Sequence, residues 1–189
     1  MKAQSEVTKY PIRTEELTIF LCVTLRYPLR NSAFKIFNNL NSIVINHLII
    51  KPAELPQELP AIESVRKAVF QAEQGVEPDL DFDGLDEISE QIIAYLDDKP
   101  VGTARVRYLD DRTAKIERLA VMPSARGLGI GKQIMEKALE VAAKNNIHEV
   151  IIHSQQYIME LHQKLGFQPE GEVFEEAGIP HVKMRKKLR

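Results

Sequence analysis

The chain has 189 residues and a mass of 21.5 kDa, with 44% hydrophobic and 28% charged residues, a balance typical of globular proteins that excludes a disordered or fibrous one. Its 25 Lys and Arg against 27 Asp and Glu give a net charge of -2, so no basic excess favours nucleic acid as a partner. A single cysteine, Cys22, excludes a disulfide framework and favours the reducing cytoplasm.

The first 46 residues form a region separate from the rest. Its apolar run at positions 17–25 (LTIFLCVTL) is far shorter than the ~20 residues of a membrane-spanning helix, and we predict a buried strand without membrane contact. A helix opened by Asn31 and a β-rich stretch follow. We therefore predict an N-terminal extension, residues 1–46, with no assigned role, and one domain over residues 47–189.

The domain begins with regular hydrophobic patterns. Apolar residues fall on one face of a helix of about three turns; they are Ile62, Val65, Val69 and Phe70. Three strand-like runs follow at 91–96, 101–108 and 114–121, joined by the short polar segments LDDKP and LDDRT. Such short connections predict an antiparallel meander.

A glycine-rich turn and a helix come next. Apolar residues recur with helical period at Ile130, Ile134, Ala138 and Ala142. Just before and at the start of this helix stand three alternate glycines, Gly127, Gly129 and Gly131. A strand, a glycine turn and a helix start direct several backbone N–H groups and the positive end of a helix dipole at one point, which predicts an anion site.

The spacing of these glycines excludes two nucleotide-binding motifs. The dinucleotide fingerprint G-x-G-x-x-G would need glycine where Lys132 stands. The P-loop pattern G-x-x-x-x-G-K-[ST] fails because Arg126 takes its first glycine position and Gln133 its Ser/Thr position.

The remaining pattern, R-G-x-G-x-G after V-x-P, resembles the acyl-CoA pyrophosphate loop Q/R-x-x-G-x-G/A of the GNAT acetyltransferase superfamily. The flanking segments VFQAEQ (69–74), IERLAV (116–121), KLGF (164–167) and EAGIPH (176–181) are similar to its ElaA/YjcF-like branch. The resemblance implies an α/β (α+β) fold, a mixed twisted sheet with helices on both faces and a splay between central strands. It further implies a strand at 150–153, a helix at 158–165 capped by Gly166, and a final hairpin of 172–174 with 181–188.

The resemblance also implies an N-acetyltransferase that uses acetyl-CoA as cosubstrate and no metal. The acceptor would be a small-molecule or peptide primary amine, and a homodimer is compatible with these observations. An acyl-enzyme would require an activated nucleophile, but Cys22 is distant in sequence from every matched motif. Direct transfer in a ternary complex is therefore preferred. The alternative is a non-catalytic acyl-CoA-binding or interaction module. The implied cofactor-binding residues are Leu119, Ala120, Val121, Arg126, Gly127, Leu128, Gly129, Ile130, Gly131 and Lys132.

Glu117 is the candidate general base. Strand alternation predicts that it shares a face with Leu119 and Val121, and many superfamily members use a glutamate on this strand. The alternative is a structural pair with an arginine of the preceding strand, Arg105 or Arg107. Arg118, on the opposite face, is predicted to be structural.

His162 is the candidate acid, in the position where the superfamily commonly has tyrosine. A histidine donates a proton only when protonated, and otherwise takes the amine's proton or hydrogen-bonds the thiolate. The alternatives are a plain helix-surface histidine and a histidine that makes an orienting hydrogen bond. Tyr157 is a weaker substitute, and His181 is a candidate for the acceptor pocket or a cap of its loop.

A calcium-loop pattern also occurs in the chain. The EF-hand spacing is satisfied by Asp79, Asp81, Asp83, Gly84 and Glu90. We nevertheless predict no calcium site, because Asp86 takes a normally apolar position and the segment after Glu90 is strand-like. The acidic cluster is expected to be solvated or to line the acceptor entrance.

Overall fold

A computed structural model describes residues 47–188, and over these residues the chain forms one mixed seven-stranded sheet, as predicted. The strands are β1 (Leu48–Pro52), β2 (Glu90–Leu96), β3 (Lys99–Tyr108), β4 (Thr113–Val121), β5 (Glu149–Gln155), β6 (Gln168–Glu176) and β7 (Ile179–Lys187), in the order β1-β2-β3-β4-β5-β7-β6. The α-helices are α1 (Leu59–Arg66), α2 (Pro78–Asp81), α3 (Ile130–Lys144) and α4 (Met159–Lys164). A π-helical turn (Lys67–Glu73) continues α1, and 3-10 turns lie at Pro123–Ala125 and Gln156–Ile158.

The predicted N-terminal extension, including the strand at 17–25, the helix after Asn31 and Cys22, lies outside the described residues. Within residues 47–188, no helix combines the length and the apolar character needed to cross a membrane.

The sheet combines an antiparallel meander with a parallel crossover. Strands β1 to β4 pair antiparallel in sequence order, which confirms the predicted meander. Strand β5 is parallel to β4 and follows it through α3. Strand β7 lies between β5 and β6 and is antiparallel to both, so the predicted C-terminal hairpin forms with its second strand inward.

Helices cover both faces of the sheet. The predicted apolar stripe of α3, including Ile130 and Ile134, is buried in the main core against Ile92 of the sheet. On the other face Val65 of α1 and Val69 of the π-helical turn pack against Ala120. The two helical patterns of the sequence therefore form the two outer layers that the resemblance implied.

Strands β4 and β5 part soon after they meet. Their ladder runs only from the pair Thr113 and Glu149 to the pair Lys115 and Ile151. Beyond that point, no ladder joins the second half of β4 to β5. This opening is the splay that the resemblance implied, and it leaves one edge of β4 available to a ligand.

A β-bulge interrupts β4 at Arg118, whose φ is +57°. The register between β3 and β4 shifts there, because two residues of β4 oppose a single residue of β3. As a result Leu119 packs against the α3 core, whereas Glu117 lies on the face of α1. The prediction that Glu117 shares a face with Leu119 and Val121 was wrong, because the bulge reverses the alternation between them.

Candidate active site

The glycine-rich turn and the first residues of α3 form a run of consecutive backbone donors, residues 127–132, which we call the phosphate cradle. Gly127 and Gly129 have left-handed φ angles of +80° and +73°, and α3 begins directly after Gly129. Within the described chain, none of the six cradle amides donates to a backbone carbonyl; the first such bond joins the amide of Gln133 to the carbonyl of Gly129 at 3.2 Å. Free amides at the start of a 15-residue helix suit an anion.

The space in front of the cradle is open, because a Cβ atom at Gly127 or Gly129 would meet no atom within 4 Å. At Gly131 the same atom would lie 3.5 Å from Cγ2 of Val121, which places the cradle beside the end of β4. A ligand on the cradle can therefore continue along the open edge of that strand.

Arg126 does not direct its side chain into the cradle. Its Nε donates to the carbonyl of Val121 at 3.0 Å, and its two Nη atoms bind both carboxylate oxygens of Glu73 at 2.8 and 2.6 Å. This bidentate pair joins the cradle to the π-helical turn. Glu73 was not predicted as a site residue, although it lies in the VFQAEQ segment that carries part of the family resemblance.

The Glu73 pair leads to a prediction about cofactor affinity. Glu73→Gln is expected to lower the Kd for acetyl-CoA by about threefold, because the Arg126 guanidinium is released for a phosphate and a nearby negative charge is lost. Calorimetric titration measures the change. Glu140→Gln, the same substitution near the far end of α3, serves as the matched control and should leave the Kd unchanged. If Glu73→Gln instead binds acetyl-CoA more weakly, Arg126 supports acetyl-CoA binding through its pair with Glu73.

A cavity of about 220 Å³ lies where β4 and β5 part. Its walls include the predicted site residues Glu117, Leu119, His162 and His181, which the fold brings together from distant parts of the sequence. Tyr157 is 74% exposed and does not line this cavity, so the structure does not support it as a substitute acid.

The carboxylate of Glu117 is held by three cationic side chains. It accepts from Nη2 of Arg105 at 2.8 Å and from Nε of Arg107 at 2.9 Å, and Nζ of Lys115 lies 3.2 Å away. Burial alone would raise its pKa, but the hydrogen bond from Arg107 and the nearby positive charges outweigh burial and lower the pKa to about 2. The cross-strand pairing kept as an alternative is present with both arginines. A carboxylate held in this way is a weak base.

This arrangement predicts a pH-dependent contribution of Glu117 to stability. Glu117→Gln should lower the free energy of unfolding at pH 7 by about 3 kcal/mol, because it removes a buried negative charge that Arg105, Arg107 and Lys115 share. The folded pKa lies below the ordinary value of 4.5, so the contribution is complete above about pH 4.5 and is lost as the pH falls to about 2. Urea unfolding at several pH values measures both effects.

The control for this prediction is Glu172→Gln, which removes an exposed carboxylate on β6 and should change stability little. If the difference in free energy of unfolding between wild type and Glu117→Gln stays constant from pH 7 to pH 3, the pKa assigned to Glu117 is contradicted.

Acidic residues at the end of α2 and in the segment that follows it form a network with arginines. Arg105 binds both carboxylate oxygens of Asp83 at 2.7 Å, and these hydrogen bonds hold the pKa of Asp83 well below its usual value. Arg66 of α1 contacts Asp81 at 2.8 Å and Asp86 at 2.6 Å. Of the two expectations for the acidic cluster, only solvation was wrong, and it was wrong for Asp81 and the neighbouring Asp86, which are 1% and 8% exposed.

This network attaches the acidic segment to the sheet. Arg118 donates to the carbonyls of Leu80 and Asp81 at 2.7 and 3.1 Å, which agrees with its predicted structural role. Asp81 also lines the cavity. Over residues 47–188 no group of three His, Cys, Asp or Glu side chains is arranged to hold a metal ion. The absence of a calcium site stays a prediction.

His162 is buried, and the alternative of a surface histidine was wrong. Its side chain projects from α4 into the interior, where the residue is 4% exposed and its ring meets Phe167 edge to face. Nδ1 lies 2.8 Å from Oγ of Ser154 on β5. Burial lowers the pKa of His162 to about 4, so the ring is neutral near pH 7 and is not a cationic acid there.

The turn between β6 and β7 supplies the outer wall of the cavity. His181 lines the cavity, and its Nδ1 donates to the carbonyl of Ile179 at 2.8 Å, as the expected loop cap would; its place in an acceptor pocket stays a prediction. On the same wall Nδ1 of His153 donates to Glu176 at 2.7 Å. His153 was not predicted as a site residue, because its partner is 23 residues away in sequence.

The chain belongs to the GNAT acetyltransferase family. Residues 60–188 match the family model described as an acetyltransferase (GNAT) domain. The chain is 37% identical to the N-acetyltransferase YjcF of Bacillus subtilis, over 65% of this chain and 87% of that protein. It is 33% identical to protein ElaA of Escherichia coli, over 69% of this chain and 88% of ElaA.

Solved structures agree with this assignment. The crystal structure of Escherichia coli ElaA superposes with a TM-score of 0.65 and 29% identity, covering 75% of this chain and 99% of that one. A GNAT acetyltransferase from Elizabethkingia anophelis, solved with acetyl-CoA bound, shares the fold with a TM-score of 0.59 at 18% identity, covering 75% of this chain and 98% of that one. The ElaA/YjcF-like resemblance is thereby confirmed.

Proposed function

We propose that this protein transfers an acetyl group from acetyl-CoA to a primary amine by direct reaction in a ternary complex. The observation that carries the proposal is the open edge of β4. Val121 at one end of that edge lies beside the phosphate cradle, and residues 116–119 at the other end line the cavity. An elongated cosubstrate with a pyrophosphate at one end and a thioester at the other fits this arrangement.

Each part of the site has a separate role in the proposed reaction. The amides of residues 127–132 hold the pyrophosphate, and the edge of β4 near Leu119 holds the pantetheine arm. The acetyl group and the acceptor amine meet in the cavity. A small-molecule or peptide amine is the proposed acceptor, and it reacts as the free base because only that form has a nucleophilic lone pair.

The two candidate catalytic residues are not equivalent in this proposal. Glu117 is bound to three cations, so proton uptake would weaken three favourable interactions at once. Among residues 47–188 His162 has no charged partner, and it presents a neutral imidazole to the cavity. We therefore assign proton transfer to His162 and a positioning role to Glu117, which holds β3 against β4 beside the reaction site.

The test is a turnover assay with four classes of acceptor, namely a polyamine, an aminosugar, an amino acid and a peptide with a free N-terminus. Each is mixed with acetyl-CoA, and free thiol is measured above the rate without acceptor. At least one class is expected to give acceptor-dependent thiol release. Calorimetric binding of acetyl-CoA without thiol release from any acceptor would overturn the enzyme proposal and support a non-catalytic acyl-CoA-binding module.

A further inference from the structure

Ser154 is a buried hydroxyl group beside the proposed reaction site. It lies on β5 opposite Val182 and is 1% exposed. Its Oγ lies 2.8 Å from Nδ1 of His162 and 3.1 Å from the carbonyl oxygen of Gln155. Both distances are within hydrogen-bonding range, so one serine oxygen joins the histidine of the cavity to the backbone of the strand.

Counting protons decides the direction of these two bonds. A hydroxyl has a single proton to donate, and a carbonyl oxygen can only accept. If the hydroxyl donated to Nδ1 of His162, its lone pairs would face the carbonyl of Gln155 without a proton between them. Both contacts are satisfied only when Nδ1–H donates to Oγ of Ser154 and the hydroxyl donates to the carbonyl.

This direction determines the tautomer of His162. A neutral imidazole has one N–H, so a proton on Nδ1 leaves a lone pair on Nε2. Because Nδ1 is engaged with Ser154, Nε2 is the ring nitrogen left for a substrate in the cavity. The side chain is thus prepared to accept a proton at Nε2.

We propose that Ser154 is a positioning residue that holds His162 in the Nδ1–H tautomer, so that Nε2 relays the proton of the attacking amine to the leaving thiolate. The inference rests on the proposed acetyl transfer. The amine nitrogen forms a bond to the thioester carbonyl carbon and gives its proton to Nε2. The C–S bond breaks, its electron pair goes to sulfur, and the thiolate takes the proton from Nε2. The imidazole ends neutral, as it began.

The first test reads the tautomer directly by ¹⁵N NMR of the histidine ring nitrogens, with His162→Ala identifying the signals. The wild type is expected to show His162 protonated at Nδ1 and not at Nε2. Ser154→Ala removes the acceptor of that proton and should shift the ring toward the Nε2–H tautomer. A wild type with His162 protonated at Nε2 overturns the proposal without any measurement of activity.

The second test measures kcat and the acetyl-CoA Kd of the same variants. Ser154→Ala is expected to lower kcat by about fivefold to tenfold, the effect of losing one orienting hydrogen bond, while the Kd stays unchanged. Ser89→Ala is the matched control, since it also removes a buried hydroxyl, one that donates to the carbonyl of Leu85 at 2.7 Å. It should leave both kcat and the tautomer as in the wild type.

A double-mutant comparison separates positioning from general damage. If Ser154 acts only through His162, adding Ser154→Ala to His162→Ala should change kcat by less than about twofold. If adding Ser154→Ala lowers the kcat of His162→Ala by the full fivefold to tenfold, the positioning role is overturned. Wild-type protein without thiol release overturns the proposed function and the relay together, whereas release that Ser154→Ala leaves unchanged overturns the role of Ser154 alone.

Discussion

Gly129→Val is expected to weaken acetyl-CoA binding by at least about tenfold. Gly129 has a φ of +73°, a conformation in which a β-branched side chain is strongly disfavoured, so the turn must rearrange. Rearrangement misdirects the cradle amides that precede α3. Each charge-assisted hydrogen bond that is lost costs about 1.5 to 3 kcal/mol, which corresponds to a factor of roughly ten or more in affinity. Calorimetric titration with acetyl-CoA measures the change.

Gly171→Val is the matched control for this experiment. Gly171 has a similar φ of +82° and lies on β6 at the far edge of the sheet, and a Cβ atom there would likewise meet no atom within 4 Å. The substitution should lower the melting temperature through the same kind of backbone strain but keep the wild-type Kd. If Gly129→Val binds acetyl-CoA as tightly as Gly171→Val, the pyrophosphate does not lie on the cradle.

His162→Ala is expected to lower kcat by about 100-fold or more, because the cavity loses the group that we propose transfers the proton. His162→Asn should be similarly slow, since an amide can hydrogen-bond to Ser154 but cannot accept a proton from the amine. The Kd for acetyl-CoA should change by less than about twofold in both variants, since the cradle is untouched. Steady-state kinetics with an accepted amine and calorimetry measure these quantities.

The control is His148→Ala, a histidine that does not line the cavity and whose Nδ1 lies 3.4 Å from Arg112. It should leave kcat unchanged. Because the pKa of His162 is about 4, the wild-type pH profile of kcat should have its histidine-dependent limb near pH 4 and not near 6.5. Full activity of His162→Ala would show that water or the substrate itself carries the proton.

Local patterns in the chain were sufficient for much of the fold and for the cradle. The helical period of Ile130 and Ile134 and the short links between strands predict α3 and the meander, because burial of an apolar face is decided by residues close in sequence. The alternate glycines likewise predict an anion site, since Gly127 and Gly129 permit left-handed backbone angles locally. The helix and the meander are confirmed and both glycines have left-handed backbone angles, whereas the anion site stays a prediction.

The environments of the candidate catalytic residues could not be predicted in the same way. Glu117 was placed by strand alternation, but the bulge at Arg118 reverses the alternation before Leu119. No local feature of IERLAV indicates that bulge. The hairpin register places Glu117 opposite Arg105, and the ion pairs with Arg105, Arg107 and Lys115 lower the pKa of Glu117, whereas a general base needs a higher one.

The environment of His162 could not be predicted either, because it depends on residues that are distant in sequence. Its place before Lys164 and Gly166 identified the position where the superfamily commonly has tyrosine. Its burial, its neutral state and its hydrogen bond to Ser154 arise only when α4 packs against β5. The sequence was therefore enough to define the backbone cradle, whose donors belong to consecutive residues. The proposed proton-transfer chemistry depends on tertiary packing, because the solvation and charge of a side chain are set by neighbours that are distant in sequence.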